Sequence, residues 1–461
     1  MSRSVTILGA GLVGSLLAVI LSKKGYKVTI YERRPDMRSA RIAAGRSINL
    51  AVSVRGWNAL EIAGIKEAIE PIAIPMFGRS LHMPDGSAAY QQYGKNNEAI
   101  YSVSRGELNK KLMTVAEEAG ATIFFDHRCT HVNVHTNELT FQHEDKEVKV
   151  QADLLFGADG AFSALRSGYV TADRVDASQF YLAHGYKELT IPPAEDGGFR
   201  LAKEALHIWP RHNYMLIALP NTDGSFTCTL FFPFEGAEAS FAALKSDAEV
   251  QAFFLKNFPD AVELMPTLLE DFRNNPTASL ITTRIFPWHM GDKSALIGDA
   301  AHAIVPFYGQ GMNAGFEDCT VLLGLMDEYG DDWSKILGAY EQKRKCNGDA
   351  VGELAIMNFV EMRDKVADPV FLERKRLEKE LGKMFPEQFI SIYEMVSFSH
   401  TPYDTVMKCI KAQDALLERV MNVPNLKTIF ETAAFGDQLK DWVAAYHTSV
   451  KDLDFGPAAR K

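Results

Sequence analysis

The chain has 461 residues, a net charge of −10 and 47% hydrophobic residues, enough apolar content for two or three folded units. Its acidic balance argues against broad nucleic-acid binding, which needs clustered lysine and arginine. The five cysteines are widely spaced and none belongs to a Cys-x-x-Cys pair, so we expect no metal site, no disulfide framework and a cytoplasmic location.

The N-terminal residues predict a βαβ unit. Residues 4–8 indicate a strand, 9–14 a turn, 15–24 a helix and 27–32 a second strand. The apolar run at 5–21 could also be a signal peptide or a short anchor, but three glycines interrupt it and its lysines follow it. No other stretch reaches about 18 uninterrupted apolar residues. We therefore expect no membrane helix.

The turn of this unit carries a dinucleotide fingerprint. Gly9 permits a tight turn, Gly11 lets the backbone approach a pyrophosphate, and Gly14 lets the helix pack on the sheet. Glu32, at the end of the second strand, suits the ribose hydroxyls of an adenosine and would repel a ribose 2′-phosphate. The pattern predicts a bound dinucleotide but does not by itself separate FAD from NAD.

Further along, the hydrophobic pattern changes twice. A helix is predicted at 108–119, and buried strands are predicted at 121–125, 154–156 and 295–297. Between them, segments at 186–191, 205–209, 213–219 and 225–232 indicate an antiparallel sheet, with a hairpin at the Asp223–Gly224 pair. Helices are predicted at 311–325, 349–365, 370–384, 403–421 and 425–446. The chain is thus expected to be α/β, with an inserted antiparallel sheet and a helical C-terminal part.

Two further motifs each place an aspartate after a short buried strand. They are Gly157–Gly160, which contains Asp159, and Gly298–His302, which contains Asp299. Either aspartate alone would be read as a cap at a strand end. Together with the fingerprint, in this order, they resemble the single-component FAD-dependent aromatic hydroxylases. In that family the second aspartate binds the ribityl chain of FAD, and the first lies in a motif linked to FAD and NADPH.

The resemblance implies a Rossmann-like FAD-binding domain at 1–75, 100–177 and 280–340. The substrate domain with its antiparallel sheet would comprise 76–99 and 178–279, and the helical domain 341–461. The FAD-binding residues that it implies are Gly9, Gly11, Val13, Gly14, Tyr31, Glu32, Arg33, Arg34, Ala51, Arg105, Asp159, Asp299, Gly311, Met312 and Asn313.

The segment after Asp299 is a loop that opens onto a helix. In the family this helix points at the pyrimidine edge of the flavin, so N–H groups of Gly311, Met312 and Asn313 would stabilise a reduced, anionic ring. The resemblance accordingly implies that Pro306, Phe307 and Gly311 lie beside the reacting centre.

Several strings narrow the resemblance to the kynurenine 3-monooxygenase branch, in a form without a membrane helix, as in bacteria. They occupy 45–51, 206–211, 225–231, 358–362 and 393–399. The resemblance also implies that Arg79, in the string at 76–79, holds an amino-acid carboxylate by a bidentate pair. The other implied substrate contacts are Tyr93, Asn358, Tyr393, Phe231, Glu361 and Met362. Tyr308 departs from the phenylalanine or histidine associated with its position.

The implied reaction is hydroxylation of L-kynurenine to 3-hydroxykynurenine in tryptophan degradation, with bound FAD, transient NADPH and dioxygen, through a flavin hydroperoxide. Substrate binding would gate flavin reduction, and the enzyme would be a monomer or weak homodimer. An aniline amine activates its ortho carbon, so no base is needed to ionise a phenol. The alternatives are hydroxylation of another small aromatic acid, and a non-catalytic FAD-binding module.

Overall fold

A computed structural model of the chain describes residues 3–39, 48–94, 97–362, 368–430 and 432–456. Gly45, Arg46 and Ser47, from one of the strings above, lie outside the described residues. The helices are α1 (Leu12–Lys23), α2 (Val54–Ile62), α3 (Lys66–Ile69), α4 (Arg105–Glu118), α5 (Ala164–Ala172), α6 (Asp247–Asn257), α7 (Pro259–Val262), α8 (Leu268–Asn274), α9 (Asp299–His302), α10 (Gly311–Tyr329), α11 (Trp333–Val360), α12 (Pro369–Met384), α13 (Ile392–Phe398), α14 (Tyr403–Met421), α15 (Leu426–Ile429) and α16 (Ala433–Val450).

Within the described residues, the strands form two large sheets and two small ones. They are β1 (Ser4–Leu8), β2 (Lys27–Tyr31), β3 (Asn49–Val52), β4 (Ile74–Met76), β5 (Gly78–His82), β6 (Ala88–Gln92), β7 (Ile100–Ser104), β8 (Thr122–Phe124), β9 (Arg128–Asn133), β10 (Glu138–His143), β11 (Lys146–Gln151), β12 (Leu154–Gly157), β13 (Asp176–Ile191), β14 (Ala205–Arg211), β15 (Tyr214–Pro220), β16 (Phe226–Pro233), β17 (Ala278–Phe286), β18 (His289–Met290) and β19 (Ser294–Leu296).

The first large sheet has the order β18–β19–β12–β1–β2–β8 and is parallel except at β18. The predicted βαβ unit is confirmed, and β19 is the parallel strand expected near 295–297. Helix α1 begins at Leu12, earlier than predicted, because Gly9–Gly11 suffice for the turn. Parallel strands end at one edge, so the loops after β1, β12 and β19 meet there. These loops carry the three sequence motifs.

The second large sheet has the order β17–β13–β16–β15–β14–β5–β6 and is antiparallel except between β14 and β5. The predicted hairpin joins β15 to β16, and Gly224 adopts a φ of +86° in its turn. Strand β13 begins at Asp176, ten residues before the predicted start. Residues 281–286, which the sequence division assigns to the FAD-binding domain, pair with β13 in this sheet.

The C-terminal part is helical, as predicted. Helix α14 has the predicted bounds, and α11 begins at Trp333, where the helical periodicity of the sequence begins, and continues through the start of the helix predicted at 349–365. Leu381, Val406, Leu417 and Leu439 pack into a core of their own between α12, α14 and α16. Among the described residues, every helix is too short or too polar to cross a bilayer.

Candidate active site

One elongated cavity of about 680 Å³ runs from the parallel sheet, past the antiparallel sheet, to the C-terminal helices. Gly11 and Glu32 lie at one end, and Arg79 and Tyr393 line the other. The fold therefore joins the dinucleotide fingerprint and the predicted substrate residues in a single space, although the sequence separates them widely.

The fingerprint glycines have distinct roles in the structure. Gly9 has a φ of +96°, and a Cβ there would lie 2.7 Å from the Ala158 carbonyl oxygen. A Cβ on Gly14 would lie 2.1 Å from the Gly9 carbonyl oxygen, so only glycine lets α1 pack this closely. A Cβ on Gly11 would meet no atom of the described residues within 4 Å and would project into open space. Gly11 is thus the position at which a ligand can approach the backbone.

Glu32 is 4% exposed and lies next to the backbone of the glycine turn. One carboxylate oxygen accepts from the Ala10 N–H at 2.8 Å, and the other accepts from the backbone and the Nε of Arg34 at 3.0 and 2.7 Å. Burial opposes ionisation, but the Arg34 guanidinium and these hydrogen bonds hold the pKa of Glu32 below its usual value. The carboxylate is therefore charged and can accept from sugar hydroxyls while repelling a phosphate. Tyr31, Arg33 and Arg34 line the cavity beside it.

At the fingerprint end of the cavity, Asp159 has a buried carboxylate oxygen that can accept a hydrogen bond from a ligand. Its Oδ2 accepts from the Ala164 N–H at 2.6 Å, whereas its buried Oδ1 has no partner among the described residues. Burial raises the pKa of this carboxyl above its usual value. A ligand hydroxyl would satisfy the unpaired oxygen, since an unpaired buried acceptor is costly. Asp299 lines the same cavity from the first turn of α9.

The start of α10 faces the middle of the cavity. Gly311 and Met312 line it, and their free N–H groups lie at the positive end of a 19-residue helix. Asn313 is placed differently. Its buried side chain accepts from the Ser53 N–H at 2.9 Å and donates to the carbonyls of Ala51 and Gly309 at 2.9 and 2.7 Å. Its side chain therefore fixes the loops, while Ala51 itself lines the cavity, as does Arg105.

At the far end an arginine lies among tyrosines. The Arg79 guanidinium carbon is 4.7 Å from the ring centre of Tyr393 and 5.5 Å from that of Tyr93, and the two rings stack at 5.3 Å. Arg79 Nε and the Tyr93 hydroxyl are buried without a hydrogen-bond partner among the described residues. Burial raises the pKa of Tyr93, so its phenol stays protonated and can donate. This arrangement fits a carboxylate ligand.

Tyr308, whose role the sequence left open, extends this group of aromatic residues. Its ring stacks on Tyr393 at 5.8 Å, and burial raises its pKa well above the usual value. Tyr308 therefore contributes a neutral phenol to the cavity wall. No sequence signal pointed to this contact, since Tyr308 and Tyr393 lie on separate elements.

The other predicted substrate and loop residues are divided between the cavity wall and the layer behind it. Phe231 and Phe307 line the cavity with ring centres 4.7 Å apart, and Pro306 and Met362 line it beside them. Asn358 is placed behind the loop, where its amide donates to the Phe307 carbonyl at 2.6 Å. Glu361 lies 3.8 Å from Lys375 and is not among the described residues that line the cavity. The structure thus gives Asn358 a supporting position.

A set of buried contacts beneath the Asp299 turn has no signal in the sequence. His302 Nε2 lies 2.6 Å from Oδ2 of Asp318, which also accepts from the Gly298 N–H at 3.1 Å. Arg344 binds the other oxygen of Asp318 at 2.6 Å. These contacts hold the turn that presents Asp299 and give His302 a structural partner. The pairs are distant in sequence, so spacing alone could not reveal them.

The donor set fits FAD at the fingerprint end. Gly11 leaves room for a pyrophosphate, Glu32 faces the ribose side, Asp159 has an unpaired buried oxygen, and the α10 terminus offers N–H groups. Among the described residues, no group of three or more histidines, cysteines, aspartates or glutamates could hold a metal ion.

Comparisons with known proteins agree with this geometry. The chain matches the family model described as "FAD binding domain" over residues 2–184 and 243–355. It is 49% identical to the kynurenine 3-monooxygenase of Flavobacterium psychrophilum over 94% of this chain and 96% of that one. It is 44% identical to the kynurenine 3-monooxygenase of Dictyostelium discoideum over 91% and 94% of the two chains.

Among solved structures, the tetrameric form of 2-methyl-3-hydroxypyridine-5-carboxylic acid oxygenase superposes with a TM-score of 0.65. The match covers 80% of this chain and 94% of that one at 21% identity, which supports the fold. The FAD-binding hydroxylase fold expected from the sequence is thereby confirmed. With both the family model and the relatives matched over most of its length, the chain belongs to the kynurenine 3-monooxygenase family of FAD-binding-domain proteins.

Proposed function

We propose that the protein hydroxylates L-kynurenine at the carbon ortho to its aniline amine, with FAD bound and with NADPH and dioxygen as co-substrates. One oxygen atom enters the C–H bond and the other leaves as water, while NADPH is oxidised to NADP⁺ and one proton is consumed. The observation that carries the proposal is Arg79 with its tyrosines, located in the same cavity as the dinucleotide cradle. FAD, when bound, supplies the redox step with NADPH and dioxygen.

The chain's own residues orient the substrate. Arg79 and Tyr93 line the cavity, and the Arg79 Nε and the Tyr93 hydroxyl are buried without a hydrogen-bond partner among the described residues, so both suit the amino-acid carboxylate. Phe231 and Phe307, whose ring centres lie 4.7 Å apart and which contact each other, would then form a wall on which the aniline ring packs. We propose that Asn358 acts indirectly, since it binds the Phe307 carbonyl and so fixes the position of that ring.

The same walls keep water from the reacting carbon. The aromatic end is lined by apolar side chains that include Leu206, Met215, Ile217 and Leu280. Among the described residues no carboxylate or imidazole lines this end. That composition suits an aniline, which is already activated, and does not suit a phenol that must be ionised. It also excludes solvent from a reactive oxygen donor.

A substrate panel tests the proposal. The purified FAD-loaded protein is incubated with NADPH and with either L-kynurenine or a phenolic acid such as para-hydroxybenzoate. We expect kynurenine, and not the phenolic acid, to accelerate NADPH oxidation and to yield a hydroxylated product. A faster reaction with the phenolic acid would favour a different aromatic hydroxylase. Bound flavin that NADPH cannot reduce with either compound would indicate a non-catalytic FAD-binding module.

We further propose a cytoplasmic enzyme that is monomeric or weakly dimeric. All five cysteines have free thiols, which suits a reducing compartment.

A further inference from the structure

Tyr403, the first residue of α14, connects the C-terminal helices to the cavity-facing end of α10. It is fully buried, and its hydroxyl donates to Oε1 of Gln310 at 2.9 Å. Gln310 is 2% exposed and directly precedes Gly311, where α10 begins. A side chain of the helical region thus fixes the residue next to the α10 terminus.

Arg55 of α2 holds Tyr403 in place. Its guanidinium carbon lies 4.1 Å from the Tyr403 ring centre, and its side chain is fully buried. The same guanidinium donates to the Thr401 carbonyl and forms an ion pair with Glu317 of α10. Because a buried cation over an aromatic face favours one geometry, the Tyr403 ring cannot turn away without breaking these contacts.

The charges around this contact balance. Glu317 and Asp318 of α10 pair with Arg55 and with Arg344 of α11, so two anions face two cations. These arginines hold the pKa of Glu317 below its usual value in spite of its burial. A balanced buried network keeps a defined arrangement, since removing one member leaves an uncompensated charge. The Tyr403–Gln310 contact therefore rests on fixed surroundings.

A short segment with internal hydrogen bonds connects the Tyr403–Gln310 contact to the substrate end of the cavity at Tyr393. Tyr393 lies in α13, and the chain runs from there through Ser399 and Thr401 to Tyr403. The Ser399 hydroxyl bonds to the Met395 carbonyl at 2.7 Å and to the Thr401 hydroxyl at 2.8 Å. These internal hydrogen bonds restrain the segment between Tyr393 and Tyr403.

We propose that Tyr403 is a positioning residue that transmits substrate contact at Tyr393 to Gln310 and the start of α10. A ligand carboxylate at Arg79 would press on the stacked Tyr393 ring, and the hydrogen-bonded segment would carry that displacement to the Tyr403 hydroxyl. The inference rests on the proposed function, because it assigns a residue to the coupling between kynurenine binding and flavin reduction.

The test uses the FAD-loaded enzyme and the variant Tyr403→Phe, which removes only the hydroxyl. The matched control is Tyr446→Phe, because Tyr446 is also buried in the helical region and its hydroxyl bonds to Gln413 at 3.0 Å. The first readout is amide hydrogen exchange in the peptide spanning 306–313, with and without kynurenine. The second pairs the kynurenine dissociation constant with the rate of flavin reduction by NADPH.

We expect kynurenine to slow exchange in this peptide in the wild type and in Tyr446→Phe, but not in Tyr403→Phe. The dissociation constant of Tyr403→Phe should stay within about twofold, because Arg79, Tyr93 and Tyr393 are unchanged. Its reduction rate at saturating kynurenine should fall about threefold to tenfold, the effect of one lost hydrogen bond on the coupling between sites.

A second variant changes the acceptor of the hydrogen bond in place of its donor. Gln310→Met removes the acceptor and should reproduce the effect, and the double variant should be no worse than either single one. Unchanged exchange and reduction in Tyr403→Phe, or additive losses in the double variant, would overturn the coupling. A wild type that forms no product and shows no response to kynurenine would instead overturn the proposed function.

Discussion

Replacing Arg79 by alanine is expected to raise the dissociation constant for kynurenine by at least tenfold. The guanidinium lies beside the stacked rings of Tyr93 and Tyr393, and its Nε has no hydrogen-bond partner among the described residues, so a bound carboxylate would be its partner. A lost hydrogen bond to a charged group costs roughly 1.5–3 kcal/mol. The measurement is a calorimetric titration of the FAD-loaded protein with kynurenine.

Two further variants make this result specific. Arg79→Lys keeps the charge without the bidentate geometry and should fall between the wild type and the alanine variant. Arg376→Ala is the control, because Arg376 is 43% exposed on α12 and pairs with Glu373. Unaltered kynurenine affinity in Arg79→Ala, with FAD still bound, would remove Arg79 from the substrate site.

Gly14→Ala and Gly11→Ala are expected to impair different properties. The first should lower the stability of the apoprotein, and the second should lower only its affinity for FAD. In Gly14→Ala the new Cβ would collide with the Gly9 carbonyl, and overpacking of this kind costs typically 1–3 kcal/mol. We expect a lower melting temperature of the apoprotein and loss of FAD. In Gly11→Ala the Cβ meets only open space, so the melting temperature should hold while FAD affinity falls at least tenfold.

Thermal unfolding of the apoprotein and fluorescence titration with FAD separate these two effects. The control is Gly338→Ala in α11, where a Cβ would meet nothing within 4 Å and φ is not positive. This variant should keep both the melting temperature and FAD affinity. Normal FAD affinity in Gly11→Ala would place the pyrophosphate elsewhere.

The parts of the site that follow from local chain geometry were predictable from the sequence. The strand, turn and helix around Gly9, Gly11 and Gly14 form where the glycine spacing indicated them, because each glycine answers a steric demand of its neighbours. Asp159 and Asp299 follow buried parallel strands, and such strands bring their ends to one edge.

Contacts between distant elements were harder to predict. Arg79 could be assigned to a carboxylate only through family resemblance, and its stacking with Tyr393 depends on how α13 packs against the antiparallel sheet. Strands β5 and β17 went unnoticed because β5 is short and β17 mixes threonines with apolar residues. The bond from the Asn358 amide to the Phe307 carbonyl likewise depends on tertiary packing and has no signal in the sequence.

The most direct test of the central claim is the fate of molecular oxygen in the product. Purified FAD-loaded protein is given NADPH and L-kynurenine under ¹⁸O₂, and the product mass is recorded. The account predicts an aromatic ring that has gained one ¹⁸O atom at the carbon ortho to the amine, with one NADPH consumed per product. Consumption of NADPH with only hydrogen peroxide formed, or a product without ¹⁸O, would contradict it.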